Sequence, residues 1–238
     1  MKKLNYIDLF AGAGGLSEGF IRAGFNPIAH VEMNKDACDT LRTRAAYHWL
    51  IENGKKKIYT DYLKSEKKTK EEFWKEVPEN VIKSVINTEI SKETIPDIFK
   101  KIDSELGKKK IDLIVGGPPC QAYSVAGRAR KDMSNDPRNT LYKYYVEFLK
   151  KYQPKMFVFE NVPGILSAKN GKHLDNIFKA VKDAGYDLAI PPKNHLNAKD
   201  FGVLQDRKRV IIIGWKKELG LSYPNFKTIE NNFEILKD

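Results

Sequence analysis

Asn5-Tyr-Ile-Asp-Leu-Phe-Ala-Gly-Ala-Gly-Gly15 is an apolar run followed directly by a glycine-rich turn. The apolar part predicts a buried strand, and residues Leu16 to Gly24 predict a short helix that ends at a glycine. Pro27-Ile-Ala-His-Val-Glu32 predicts a second strand. These three segments together predict a strand-helix-strand unit at the start of the chain.

The alternation of strands and helices continues after this unit. Further strands are predicted at Ile111–Val115, Met156–Phe159, Tyr186–Ile190 and Val210–Gly214, and helices at Leu141–Lys151 and His173–Ala184. This order predicts an α/β fold with a doubly wound, mostly parallel sheet. We expect one domain, residues 1–238, with a charged helical insertion at about 40–108. Its stretch from about residue 51 is rich in lysine and glutamate, and we expect it to lie outside the sheet.

Composition narrows the class of protein. The 238 residues are 41% hydrophobic, and no run approaches the length of a membrane span. A strand-like segment follows Met1 within a few residues, which predicts no signal peptide, no membrane partner and a cytoplasmic location. The two cysteines, Cys38 and Cys120, show no metal-ligand spacing and no disulfide framework, so we expect a reducing compartment and no metal. The net charge of +11 is spread along the chain and permits a polyanion partner without locating one.

Cys120 is the leading candidate for a nucleophile. It lies in Gly116-Gly-Pro-Pro-Cys-Gln-Ala-Tyr-Ser124, directly after a predicted strand. Pro118 and Pro119 stiffen the turn and exclude an immediate helix. A free cysteine is more often a small buried apolar residue, but a position at the end of a strand, where ligands bind in open α/β sheets, favours a reactive role.

The first glycine turn predicts a cofactor site. It lets the backbone approach a ligand closely, and Glu32 lies at the end of the second strand, where a carboxylate can bind ribose hydroxyls. The glycine spacing is not the dinucleotide pattern G-x-G-x-x-G, so a nucleoside cofactor without a pyrophosphate fits better than NAD. Glycine turns alone are weak evidence, and an NAD site would use similar geometry.

Two later segments carry charged side chains next to strands. Glu160 lies in Phe159-Glu-Asn-Val-Pro-Gly164, and Gln205-Asp-Arg-Lys-Arg209 precedes the last strong strand. Taken alone, Glu160 is more often a solvated cap and Arg207 with Arg209 an ordinary basic edge. Because Cys120 and Glu160 each follow a predicted strand, both side chains are expected at the same edge of the sheet. Arg207 and Arg209 are expected on the same face of an extended segment.

These four segments together resemble the DNA (cytosine-5)-methyltransferase family. Asp8–Phe20 is similar to its S-adenosylmethionine motif, Gly116–Gln121 to its nucleophile motif, Glu160–Gly164 to its glutamate motif, and Gln205–Gly214 to its paired-arginine motif. The order and spacing of the motifs fit across residues 5 to 215. The resemblance implies a Rossmann-like methyltransferase fold with an antiparallel last strand.

The resemblance implies a role for each catalytic residue. Cys120 would attack C6 of a cytosine flipped out of double-stranded DNA, while Glu160 hydrogen-bonds to N3 or protonates it. Arg207 would hold the base and help to lower the pKa of the Cys120 thiol, with Arg209 as a supporting partner. Loss of the C5 proton after methyl transfer then releases Cys120.

The resemblance also implies the binding residues. An acidic residue contacts the adenine amine in the family, and Glu89 of Asn87-Thr-Glu-Ile90 holds that position here, where aspartate is commoner. The other cofactor residues implied are Asp8, Phe10, Ala11, Gly12, Gly14, Gly15, Glu32, Met33, Pro119 and Leu141. DNA contacts are implied for Gln121, Ser124, Arg128, Arg130 and Lys131, in a segment that forms a mobile loop in the family.

The end of the chain departs from the family pattern. Complete members continue into a target-recognition region and a last motif that closes the cofactor pocket, whereas about two dozen residues follow Gly214 here. We therefore expect the recognition region to be absent, as in a subunit of a split enzyme with a complementing chain, a truncated protein or a degenerate gene product. A restriction-modification setting is implied. The alternatives are a cofactor-binding lobe that is inactive by itself and an RNA cytosine-5 methyltransferase, against which Ala122-Tyr-Ser124 argues weakly.

Overall fold

The structure, a computed structural model, describes residues 3–119, 140–168 and 170–229. The chain forms two compact units, residues 1–117 with 151–154 and residues 118–150 with 155–238. In the described parts, no helix is both long enough and apolar enough to cross a membrane.

The first unit contains four strands and six helices in its described residues. The strands are β1 (Asn5–Leu9), β2 (Asn26–Glu32), β3 (Val85–Asn87) and β4 (Leu113–Gly116). The helices are α1 (Gly15–Arg22), α2 (Lys35–Glu52), α3 (Lys56–Lys64), α4 (Lys70–Trp74), α5 (Glu79–Lys83) and α6 (Ile95–Leu106).

The four strands pair in the order β3-β2-β1-β4, and every pair is parallel. All five residues of β1 are buried, as expected for a parallel strand that is covered on both faces. β1 and β4 approach so closely that a Cβ at Gly116 would lie 2.4 Å from the Leu9 carbonyl oxygen. The predicted strand-helix-strand unit is therefore formed by β1, α1 and β2, at the centre of this sheet.

The segment at about 40–108 differs from the expectation in one respect. It is mostly helical, but Val85–Asn87 forms β3 and pairs with β2 in parallel. The interpretation that this stretch lies outside the sheet is wrong for these three residues. Val-Ile-Asn is too short an apolar run to stand out between charged helices, and only its pairing with β2 identifies it as a strand.

The charged helices of this segment are packed on α2. Phe73 is fully buried together with Ala46 and Leu50, and the Tyr62 ring stacks on the Phe73 ring at 4.3 Å between centroids. α4 begins with a capping box in which the side chains and backbone amides of Thr69 and Glu72 exchange hydrogen bonds. Aromatic packing therefore holds a segment whose composition is mainly charged.

The second unit is built around an antiparallel strand. Its described elements are α7 (Leu141–Tyr152), β5 (Met156–Asn161), α8 (Lys172–Asp183), β6 (Tyr186–Ala189), β7 (Leu196–Asn197) and β8 (Lys208–Lys216), with 3-10 turns at Pro163–Leu166, Ala198–Phe201 and Lys217–Leu219. β8 lies between β5 and β6, antiparallel to both, and β7 also pairs with it. The predicted α/β class with an antiparallel last strand is confirmed.

Aromatic rings fill the core of the second unit around Phe157. The Phe157 ring lies 6.0 Å from that of Tyr145 and 5.7 Å from that of Tyr186, in edge-on arrangements. A Cβ added to Gly214, which pairs with Phe157 across the sheet, would lie 2.0 Å from a carbon of that ring. The glycine at this position of β8 is therefore what lets the Phe157 ring lie flat on the strand.

Candidate active site

The turn after β1 uses a left-handed backbone at three residues. Phe10 has φ of 56°, Gly12 of 53° and Gly14 of 85°. This conformation costs a bulky residue such as Phe10 free energy, and such strain is concentrated at binding sites. A Cβ at Gly14 would lie 2.8 Å from Leu41 Cδ2, whereas one at Gly12 would meet nothing within 4 Å. Gly14 therefore permits packing against α2, and Gly12 borders open space where a ligand can approach.

Glu32 joins this turn to the start of α2. Its Oε2 accepts a hydrogen bond from the Gly12 N–H at 2.8 Å, and its Oε1 accepts one from the Asn34 N–H at 2.8 Å. Asn34 in turn caps α2 by accepting from the Ala37 N–H. A carboxylate offers about four lone-pair directions, so Glu32 retains acceptor capacity for two hydroxyl groups. The residue fits a ribose and also fixes the turn.

The remaining cofactor candidates of the first unit occupy different environments. Met33, directly after β2, is 62% exposed, and Glu89 is exposed two residues beyond β3. Ala11 is buried and its N–H donates to the Val31 carbonyl, while Gly15 begins α1. Because β1, β2 and β3 are parallel, the turn, Glu32 and Glu89 follow strand ends at the same edge of the sheet.

Asp8 lies inside β1, next to a buried polar cluster. Its register partner on β2 is His30, whose Nε2 lies 2.8 Å from Ser17 Oγ, and Ser17 Oγ also hydrogen-bonds to Tyr6 Oη. Asp8 Oδ2 and His30 Nδ1 are buried without a hydrogen-bond partner among the described residues.

Burial sets the charge state of this cluster. It raises the pKa of Asp8 well above the ordinary value, and the nearby Glu32 charge raises it further. Burial, together with the Arg44 and His48 charges, lowers the pKa of His30 to about 4. His30 is therefore neutral at pH 7, and burial favours the neutral acid form of Asp8.

In the second unit, Glu160 and Arg209 form an ion pair. Glu160 is the penultimate residue of β5, and its Oε1 lies 2.7 Å from Arg209 Nε. Both side chains are about a quarter exposed, at 26% and 25%. The register of β5 and β8 brings them together, since Asn161 lies opposite Val210. Arg209 is thus the residue of the paired-arginine motif that contacts the glutamate motif.

Arg207 lies in a different environment from Arg209. It precedes β8, and its side chain is exposed, with no ion pair to any residue that the structure describes. Its N–H donates to Asn197 Oδ1 at 3.1 Å, and Asn197 Nδ2 donates to Asp206 at 2.8 Å. Arg207 and Arg209 therefore lie in different environments. Arg207 is part of a hydrogen-bonded turn, whereas Arg209 is part of strand β8.

Asn161 is a site residue that the sequence analysis did not identify. It is buried, its Nδ2 donates to the Pro118 carbonyl at 3.1 Å, and its Oδ1 accepts from the Val162 N–H. The bond to Pro118 fixes the backbone two residues before Cys120. The available signal was a polar residue directly after Glu160, at the end of a mostly apolar strand.

Several predicted residues lie outside the described part of the chain. They are Cys120, Gln121, Ser124, Arg128, Arg130 and Lys131. Of the cofactor candidates of the second unit, Pro119 is half-buried, and Leu141 is half-buried as the first residue of α7. Across residues 3–119, 140–168 and 170–229 there is no group of three or more His, Cys, Asp or Glu side chains that could hold a metal ion.

Comparison with known proteins agrees with the four motifs. The family model described as C-5 cytosine-specific DNA methylase matches residues 4–69 and 63–238. The Type II methyltransferase M.Bpa9945I of Bacillus paralicheniformis is 38% identical over 247 residues, covering 93% of this chain and 56% of that protein. The Type II methyltransferase M.FnuDI of Fusobacterium nucleatum is 36% identical over 237 residues, covering 99% of this chain and 54% of that protein.

Solved structures share the fold. A crystal structure described as a prophage-encoded DNA modification methyltransferase from E. coli has a TM-score of 0.59 and 29% identity, over 93% of this chain and 49% of that one. The Entamoeba histolytica methyltransferase EhMeth has a TM-score of 0.53 at 17% identity, over 98% of this chain and 62% of that one, which shows the fold alone. The chain spans about half the length of the curated relatives named above. With a family model that matches nearly all of its residues, the chain belongs to the C-5 cytosine-specific DNA methylase family.

Proposed function

We propose that this chain supplies the cofactor-binding and catalytic part of a DNA (cytosine-5)-methyltransferase. The observation that carries the proposal is the Glu160–Arg209 ion pair at the end of β5 and the start of β8. One guanidinium orients this carboxylate, which stays partly exposed and can therefore hydrogen-bond to the polar edge of a base. The glutamate motif also follows the nucleophile motif along the chain, as it does in the family. The match of the family model to residues 4–69 and 63–238 supports the same reaction.

The residues around the first turn fit S-adenosylmethionine. Gly12 borders open space, Glu32 retains acceptor capacity for ribose hydroxyls, and Met33 offers an exposed apolar side chain for the face of an adenine. Glu89 is exposed and available for the adenine amine. When bound, S-adenosylmethionine supplies the electrophilic methyl group.

In the proposed mechanism, the Cys120 thiolate forms a bond to C6 of a flipped cytosine, and the ring electrons move toward N3 and C5. Glu160 hydrogen-bonds to N3 or protonates it, which stabilises this charge. C5 then takes up the methyl group that S-adenosylmethionine would supply, with S-adenosylhomocysteine as the leaving group. A base removes the C5 proton, the C5–C6 double bond re-forms, and the C6–sulfur bond breaks to regenerate the thiolate. The ion pair supports Arg209 as the residue that orients Glu160, which gives its supporting role a specific partner. Arg207 then remains a candidate for contact with the base or the phosphates.

DNA and a complementing segment complete the proposed assembly. Gln121, Ser124, Arg128, Arg130 and Lys131 are proposed to contact DNA around the flipped base. We propose that further polypeptide, in the same chain or in a complementing one, supplies target recognition, since the named relatives are about twice as long. The Type II methyltransferases among the relatives support a restriction-modification setting, and a cytoplasmic location remains a prediction.

An assay of methyl transfer tests this proposal. The 238-residue chain, alone and with a candidate complementing segment, is incubated with labelled S-adenosylmethionine and either duplex DNA or tRNA. Label at C5 of cytosine in DNA, only when both segments are present, is the expected result. Label in tRNA alone would support the RNA alternative. Cofactor binding without transfer in any mixture would support a lobe that only binds the cofactor.

A further inference from the structure

Asn87, the last residue of β3, holds the end of β2 through one amide group. It lies opposite Glu32 in the parallel register of the two strands. Its Nδ2 donates to the Glu32 carbonyl oxygen at 3.2 Å and to the Met33 carbonyl oxygen at 2.9 Å. A single side chain therefore restrains two consecutive carbonyl groups where the strand ends.

The Glu32 carbonyl is held from β3 and from α2. It also accepts a hydrogen bond from the Thr88 N–H at 2.9 Å and from Cys38 Sγ at 3.3 Å. The Glu32 carboxylate accepts from Gly12 and Asn34 at the other end of the residue. The backbone of Glu32 is thus fixed by β3 and α2, while its carboxylate fixes the glycine turn.

The backbone of Met33 depends on Asn87 more strongly than the backbone of Glu32 does. Met33 is 62% exposed, so apolar packing gives little restraint to its backbone. The hydrogen bond from Asn87 to the Met33 carbonyl therefore restrains the peptide group between Met33 and Asn34, and its bond to the Glu32 carbonyl restrains the one between Glu32 and Met33. Without these bonds, rotation of the two peptide groups would change the direction of the Met33 side chain and move the Asn34 N–H, which donates to the Glu32 carboxylate.

We propose that Asn87 is a positioning residue of the cofactor pocket, which acts through the backbone of Glu32 and Met33. The inference rests on the proposed function and extends it to a residue outside the four sequence motifs. Asn87 acts by presenting Glu32 to the ribose and Met33 to the adenine, with no contact to the cofactor required. Because the Asn87 side chain is exposed, water can replace its hydrogen bonds, so its loss affects cofactor affinity more than folding.

Calorimetry with S-adenosylhomocysteine tests this role in the 238-residue chain. Asn87→Ala is expected to raise the dissociation constant about 5- to 10-fold, the scale of one to two ordinary hydrogen bonds. Asn87→Asp is expected to raise it further, because a carboxylate would face two carbonyl oxygens. The control is Asn53→Ala, which also removes an amide-to-carbonyl bond, from Asn53 Nδ2 to Trp49, at the opposite end of α2. Its affinity is expected to match that of the parent.

A double-mutant cycle shows whether Asn87 acts through Glu32. In a Glu32→Gln background, Asn87→Ala is expected to change the affinity by less than about 2-fold, since the two effects are coupled. In the ligand-free chain, the amide resonances of Gly12 and Asn34, both bonded to the Glu32 carboxylate, are expected to shift in Asn87→Ala. Additive effects, or unchanged resonances, would overturn the proposal. A parent chain that fails to bind S-adenosylhomocysteine would contradict the proposed function, while the resonances would still decide the role of Asn87.

Discussion

Arg209 Nε lies 2.7 Å from Glu160 Oε1, and the pair joins two antiparallel strands at their ends. Arg207, two residues earlier, is exposed and lies in the turn that Asn197 and Asp206 hold. Both arginines belong to one short motif, yet only the second contacts the glutamate. The expected consequences of substitution therefore differ between them.

Arg209→Ala is expected to lower turnover by roughly 10-fold or more, because it removes the charge-assisted hydrogen bond between Arg209 and Glu160. Arg207→Ala is expected to lower turnover less. Glu160→Gln is expected to lower turnover by about 10² or more, the usual scale for acid-base participation. Single-turnover methylation by the complemented enzyme measures both. Lys208→Ala, between the two arginines, is the control and is expected to keep activity.

The folded state should tolerate these changes. An ion pair whose side chains are a quarter exposed contributes about 0.2 to 1 kcal/mol, so the unfolding midpoint of Arg209→Ala should stay close to that of the parent. If Arg207→Ala proved the more damaging of the two, our assignment of Arg209 as the partner of Glu160 would be wrong.

Cys120 is expected to form a covalent complex with DNA that contains 5-fluorocytosine, in the presence of S-adenosylmethionine and a complementing segment. Fluorine at C5 blocks the elimination that would free the thiol, so the complex survives denaturation. Cys120→Ser is expected to abolish it, and Cys38→Ser, at a buried cysteine bonded to the Glu32 carbonyl, is expected to retain it. A stable complex in the Cys120→Ser protein would remove this residue from the mechanism.

Glu32→Ala is expected to weaken S-adenosylmethionine binding by about 1.5 to 3 kcal/mol, the value of hydrogen bonds to a charged group. The variant also frees the Gly12 N–H and so loosens the turn. Titration calorimetry measures the affinity, and Glu52→Ala, at an exposed carboxylate paired with Lys3, is the matched control. Equal affinity of the parent for NAD and S-adenosylmethionine would instead favour a dinucleotide site.

Gly214→Ala is expected to destabilise the chain by roughly 1 to 3 kcal/mol, because its Cβ would overlap the Phe157 ring. Chemical denaturation measures the change. Gly19→Ala serves as the comparison, since Gly19 lies inside α1 with nothing within 4 Å of an added Cβ. That variant is expected to be neutral or more stable by up to about 1 kcal/mol. Equal loss in both variants would contradict the packing argument.

His30 is expected to make folding sensitive to mild acid. Its pKa is lowered from 6.5 to about 4 in the folded chain, mainly by burial. Above pH 6.5 both states are neutral at this position, and the unfolded state alone takes up the proton as the pH falls from about 6.5 toward 4. Stability is therefore lost in that window.

His30→Gln is expected to remove this part of the pH dependence. The measurement is the unfolding free energy at pH 7 and at pH 5, compared between the parent and the variant. This comparison separates His30 from Asp8, whose pKa is raised and whose contribution to the pH dependence of stability has the opposite sign. An identical loss of stability in both proteins would show that His30 does not titrate in this range.

Much of the site could be predicted from the sequence because its chemistry resides in short local strings. The glycine turn and Glu32 follow or end parallel strands of the first unit, whose carboxyl ends lie at one edge, and Glu160 lies near the end of β5 in the second unit. Asn87 and Asn161 were missed, because each acts through a backbone carbonyl that is distant in sequence: Asn87 on Met33 and Asn161 on Pro118. A hydrogen bond from a side chain to a remote backbone group leaves no local pattern.

The sequence by itself determined the order of the motifs, the α/β class and the family, since apolar runs of strand length and the spacing of reactive residues are properties of the linear chain. Only the tertiary structure decided that Val85–Asn87 joins the sheet and that Arg209, instead of Arg207, contacts Glu160. Both outcomes depend on strand pairing. A pairing register is fixed by burial and hydrogen bonds summed over several residues of two distant segments, and no single segment contains that information.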